Sequence, residues 1–130
     1  MIVASNEVQI RRIVNEWAKA VRARDMDRAL AHHAKDMVMF DVPRPLQSKG
    51  ISAYKKTWEQ FFANNAGGEG SFNIEELKVT TGDTVAFCHA LLRIAGGRKP
   101  TCRLTIGLKK VRGKWLITHE HHSYPIELGR

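Results

Sequence analysis

A chain of 130 residues with 43% hydrophobic and 26% charged side chains is long enough to bury one core and too short for two. Four prolines, ten glycines and no biased tract exclude a disordered chain, a collagen-like fibre and a repeat array. The net charge of +8 is spread along the sequence, apart from Lys109, Lys110, Arg112 and Lys114 around one turn, and reads as solvated surface. Nucleic acid is not an expected partner, because aromatic and basic residues do not interleave as they do in single-strand binders.

No apolar run approaches the ~20 residues that cross a bilayer, and the first residues are too few for a signal-peptide core, so a cytoplasmic protein without a membrane partner is expected. Cys88 and Cys102 form no CxxC pair and read as free thiols of a reducing compartment. A turn at Ala95-Gly96-Gly97 would put them near each other on paired strands, which leaves a disulfide open.

In chain order, Asn6 with Gln9 resembles a capping box, and Ile10, Ile13, Val14, Trp17 and Val21 then recur at helical spacing to about Ala23. Asp25 is a plausible N-cap for a second, short helix through Met26, Ala29, Leu30 and His33, with His32 and His33 as surface and core-edge residues. Met37 to Val42 is strand-like, ends at Pro43 and Pro45, and places Asp41 at its end. Tyr54, Trp58, Phe61 and Phe62 predict a third helix from Ile51, stopped by the run from Asn64 to Gly68. Strands follow at Phe72–Val79, Thr84–Ile94, Thr101–Lys110 and Lys114–Tyr124, joined by hairpin-sized turns. The pattern is α+β, one domain over 1–130, with helices covering one face of a curved sheet and a pocket between the layers.

This order of elements, the spacing of Trp17, Asp25 and Asp41, and the closing run from Trp115 to Ser123 resemble the SnoaL-like and ketosteroid isomerase-like branch of the nuclear-transport-factor-2-like (NTF2-like) superfamily. The resemblance implies a cone-shaped barrel, three N-terminal helices packed on a curved, mainly antiparallel sheet, and a small-molecule pocket. It implies a catalytic carboxylate at Asp41. It also marks two departures, since Trp17 stands where the isomerases carry a tyrosine and Ile106 at or beside their protonated acid. A base plus buried donors is the logic of that chemistry, and here the base position is kept while both donors are replaced.

Asp41 lies between Phe40 and Val42, an apolar setting in which a carboxylate becomes a stronger base; the alternative is a turn cap before Pro43. Strand alternation puts Leu116, Thr118, Glu120 and His122 on one face, and the resemblance turns Thr118, Glu120 and His122 inward. Asp41, Glu120 and His122 would then be an acid–base constellation, set against polar residues that are merely satisfied at a sheet rim. Small or apolar residues on the middle strands, including Leu92 and Ile106, with Trp17, Met39, Tyr54, Trp58, Phe62 and Thr118, would hold a flat apolar ligand. His89, His119 and His121 are expected on the outer face. There a zinc site is set against a homodimer contact with Arg103, Thr105 and Trp115, and the dimer explains more of the pattern.

Two functions follow. One is an isomerase, cyclase or lyase using Asp41 for proton transfer next to a carbonyl, with His122 and Glu120 as donor or relay and no metal or cofactor. The other is a non-catalytic ligand-binding or oligomerisation module.

Overall fold

The computed structural model describes residues 3–129. Helix α1 spans Asn6–Arg22 and is capped by Ser5, whose Oγ accepts the Val8 N–H at 3.2 Å. The cap thus sits one residue before Asn6, and Gln9 donates to the Ala4 carbonyl at 2.7 Å. Asn6 has other work: its Oδ1 accepts from Trp115 Nε1 at 3.1 Å and from Lys110 Nζ at 2.9 Å. The buried stripe Ile10, Val14, Trp17 and Val21 faces the sheet. Arg24, at φ 56°, ends the helix, with its N–H on Val21 and that of Asp25 on Ala20, the two bonds of a Schellman stop.

Helix α2, Met26–Leu30, has Asp25 as its cap. Helical spacing suggests that it continues to His33, but Ala31 is extended, His32 adopts φ 61°, and His33 opens strand β1, His33–Phe40. His33 is therefore a buried strand residue rather than a helix-surface one. A two-residue strand, β2 at Ser48–Lys49, is too short to leave a sequence period. Helix α3 is Ile51–Asn64, followed by β3 (Phe72–Thr81), β4 (Val85–Ile94), β5 (Cys102–Val111) and β6 (Lys114–Ser123). No described helix is long and apolar enough to cross a membrane.

The six strands form one sheet in the order β2-β1-β6-β5-β4-β3, antiparallel except for the parallel β1–β6 pair. Helix α1 packs on β3 and α3 on β1, the far sides of the sheet, while α2 touches both helices. The sheet must curve to meet them. It stays open, with β2 and β3 unjoined, so the cone has a gap where a barrel would close.

A register shift between β5 and β6 changes what faces the core. Gly107 pairs with His119 and Leu108 with Ile117, which leaves Thr118 as an extra residue. Trp115 and Ile117 are buried before it, Glu120 and His122 after it. Trp115 is thus a core residue and not an outer-face contact, and Thr118 spends its hydroxyl on the Gly107 carbonyl at 3.3 Å. The cysteines are also apart: Cys88 pairs with Ile106 and Cys102 with Leu92. Four residues along a strand is about 13 Å, beyond disulfide reach, and both thiols are free.

The loop after α3 seats against the end of α1 through the Gly68 N–H on the Arg22 carbonyl at 2.8 Å. At Gly67, φ is +82° and an added Cβ would stand 2.9 Å from that carbonyl. Gly67→Ala is expected to cost about 1–3 kcal/mol in urea unfolding from its left-handed backbone, plus the clash. Gly68, at φ +86° with nothing near its Cβ position, serves as the control that carries only the backbone part.

Candidate functional site

Curvature brings α1, α3, β1 and β6 around one buried carboxylate. Glu120, from β6, is 0% exposed. Its Oε2 accepts the Tyr54 hydroxyl at 2.6 Å and faces His33 Nε2 at 2.5 Å; its Oε1 faces His122 Nε2 at 2.9 Å. Tyr54 Oη in turn accepts from Trp17 Nε1 at 2.9 Å, and His33 Nδ1 lies 2.9 Å from the Ala31 carbonyl. Each of the four core elements gives at least one member, and the carboxylate is fully satisfied, as a buried charge requires.

Burial alone would raise the pKa of Glu120. Hydrogen bonds from His122 and His33, and positive charge beside the carboxylate, outweigh it and hold the carboxyl at about 2. Burial pushes the Tyr54 phenol well above its ordinary value, and the neighbouring Glu120 charge adds to this. Tyr54 is therefore a neutral donor to an ionised carboxylate. Around the cluster Trp17 meets Phe72, Trp58, His122 and His33 with ring centroids 5.2, 6.0, 6.1 and 6.4 Å away.

Beside this cluster opens a cavity of about 450 Å³. Its wall is mostly apolar: Met39 from β1, Trp58 and Phe61 from α3, Phe72 from β3, Leu92 and Ile94 from β4, and Cys102 from β5. The rim carries the loop from Asp41 to Pro45, with Asn64, Asn65 and Tyr124. His122 is the one member of the Glu120 cluster on the wall. With Nε2 held by Glu120, Nδ1 is the ring nitrogen left for an occupant. Trp58, 3% exposed, has an indole N–H with no acceptor in hydrogen-bonding geometry.

Of the residues expected at the site, Met39, Asp41, Trp58, Leu92 and His122 line the cavity. Asp41 sits just past the end of β1, half-buried, and its Oδ1 accepts the adjacent Val42 N–H at 2.8 Å. The structure does not bring Trp17, Tyr54, Phe62, Ile106, Thr118 or Glu120 to the wall. Trp17, Tyr54 and Glu120 hydrogen-bond to one another behind it, Phe62 and Ile106 are packed in the core, and Thr118 is the bulge residue. His33 joins the cluster unanticipated, because a chance i, i+4, i+7 spacing with Met26 and Leu30 disguises it as helical.

On the outer face His119 Nδ1 lies 2.7 Å from the Val38 carbonyl, and the His119 and His121 rings pack on Phe40 at 4.8 and 5.3 Å. Among the described residues no three His, Cys, Asp or Glu side chains are placed to hold a metal ion, so His89, His119 and His121 do not make a zinc site.

No curated protein matches the chain. Solved structures do. An NTF2-like protein of unknown function from Pseudomonas putida KT2440 is 32% identical, with TM-score 0.84 over 97% of this chain and 92% of that one. A ketosteroid isomerase-like protein from Erwinia carotovora atroseptica SCRI1043 is 20% identical, with TM-score 0.73 over 95% of this chain and 100% of that one. A protein of unknown function with a cystatin-like fold from Nostoc punctiforme PCC 73102 is 13% identical, with TM-score 0.76 over 98% and 96%. The last two show likeness of fold alone. The SnoaL-like domain pattern matches residues 10–127, and with the NTF2-like architecture and the Pseudomonas relative it establishes that the chain belongs to the SnoaL-like family.

Proposed function

We propose that this protein binds a small apolar, carbonyl-bearing molecule in the cavity and moves a proton beside that carbonyl, as an isomerase, cyclase or lyase would. The observation that carries the reading is His122: it stands on a mostly apolar wall with Nε2 pinned by a buried carboxylate. A ring oriented in this way is a general base aimed at an occupant. Glu120 is its positioning residue, and Asp41, on the rim, is the second proton carrier.

The test is turnover of a panel of enolisable cyclic ketones and lactones. His122→Gln is expected to lower turnover by about 10²–10⁴-fold, and Asp41→Asn to lower it with little change in melting temperature. A ligand that raises the melting temperature yet is processed equally by wild type and both variants would overturn the catalytic reading.

A second reading is a non-catalytic binding or oligomerisation module. It is supported by the Glu120 cluster, which is satisfied without any ligand. Pairing of two copies through the outer sheet face, where Val85 and Phe87 are exposed beside His89, Thr105 and His121, belongs to the same proposal. So does a cytoplasmic setting, which two unpaired thiols suit.

A further inference from the structure

Two imidazoles share the single charge of Glu120, and their hydrogen bonds differ. The Ala31 carbonyl can only accept, so His33 Nδ1 carries a proton. The phenol of Tyr54 accepts from Trp17 and therefore donates to Glu120 Oε2. His33 Nε2 reaches the same oxygen at 2.5 Å. Two bare acceptors would repel there, so a second proton lies between them, on the ring when the carboxyl is ionised. Doubly protonated His33 has an acceptor for each N–H. His122 has one, Glu120 Oε1, for Nε2. A proton on its Nδ1 would find no protein acceptor among the described residues, within a ring enclosed by Trp17, Trp58 and Phe72.

The groups facing the cluster complete the count. Helix α3 brings Tyr54, β1 brings His33, β6 brings Glu120 and His122, and α1 brings the neutral Trp17. Among the described residues no Lys or Arg pairs with Glu120. One carboxylate and one imidazolium cancel, and no charge remains to hold a second cation on His122.

We propose that His33 is the resident cation of this site, that it keeps His122 neutral with the Nδ1 lone pair turned to the occupant, and that the cavity accordingly selects ligands offering His122 a hydrogen, such as a phenol, an enol or an acidic C–H beside a carbonyl, over carboxylates. The ligand half rests on the cavity being a binding site, as proposed above; the proton placement does not. His33 acts through Glu120 and is a positioning residue.

Long-range proton–nitrogen spectra of the imidazole rings at about pH 7 read the placement directly, with His122→Gln used to assign signals. Two protonated nitrogens on His33 and a bare Nδ1 on His122 are expected; a doubly protonated His122, or a bare nitrogen on His33, overturns the placement. In His33→Gln the second proton is expected on His122. Binding of 2-naphthol should then weaken about tenfold relative to wild type, while 2-naphthoate gains. Wild-type protein binding naphthoate better than naphthol overturns the ligand half. Failure of both probes removes the ligand reading of the cavity, while the spectra still decide His33. If His33→Gln does not fold, the wild-type spectra and the wild-type preference between the two probes decide both halves.

Discussion

Replacing Glu120 with glutamine is expected to lower the unfolding free energy by about 3–5 kcal/mol, the usual cost of removing one partner from a buried ion pair. For a chain of this size that is a fall of roughly 10–20 °C in melting temperature. The amide keeps the volume and still offers an oxygen, but its NH₂ must face one of two histidine nitrogens that the carboxylate satisfies, and the charge opposite His33 is gone. The pH dependence isolates the electrostatic part. In the folded protein the Glu120 carboxyl is held at about 2 against an ordinary 4.5. A depressed pKa contributes stability that is present above the unfolded value and is lost as pH falls through the folded one. Wild type should therefore lose stability between about pH 4.5 and pH 2, by about 3 kcal/mol from this group, and Glu120→Gln should lack that component. Urea midpoints measured across this window check it. Parallel slopes for the two proteins would mean that Glu120 is not ionised in the fold.

Trp17→Ala should cost about 3–5 kcal/mol, the range for emptying a large aromatic site. The side chain is 2% exposed and its ring is wedged among Phe72, Trp58, His33 and His122, so removing it undermines the cluster and the cavity wall together. Trp17→Phe separates the two contributions. It keeps most of the apolar contact but withdraws the N–H from Tyr54 Oη, a loss of about 1 kcal/mol. Urea unfolding ranks the variants, and near-ultraviolet circular dichroism reports whether the remaining aromatic rings keep their packing. Equal costs for Ala and Phe would place the importance of Trp17 in its hydrogen bond rather than its bulk.

The architecture was legible because its signals are periodic. Ile10, Val14, Trp17 and Val21 on α1, and the alternation of Cys88, Ala90 and Leu92 with Leu104, Ile106 and Leu108, are long enough for burial to dominate the pattern. The errors fall where one residue breaks a period. Alternation read straight through β6 puts Trp115 outside and Thr118 inside; the bulge at Thr118 reverses both and leaves Glu120 and His122 where they were expected. A bulge has no compositional marker here, because Thr is at home in any strand. His33 was hidden in the opposite way, by a helical spacing that outlasts the helix. From the sequence, Trp17 and Tyr54 read as a ligand wall. Large aromatics near a pocket look alike in sequence whether they face it or stand behind it, and only the three-dimensional fold reveals that their polar atoms are already spent on each other and on Glu120.

The open sheet also bears on self-association. Unjoined strands present spare backbone groups to any neighbouring chain, a template for fibril-like stacking. On one side β2 offers only two residues. On the other, ten-residue β3 is interrupted near Glu76, which takes φ 55°, and α1 reaches across to occupy two of its carbonyls, Arg11 on Leu77 at 3.3 Å and Arg22 on Phe72 at 2.9 Å. The surface arginines of α1 thus guard the margin of the sheet, and part of the basic excess that says little about ligand preference serves colloidal stability instead.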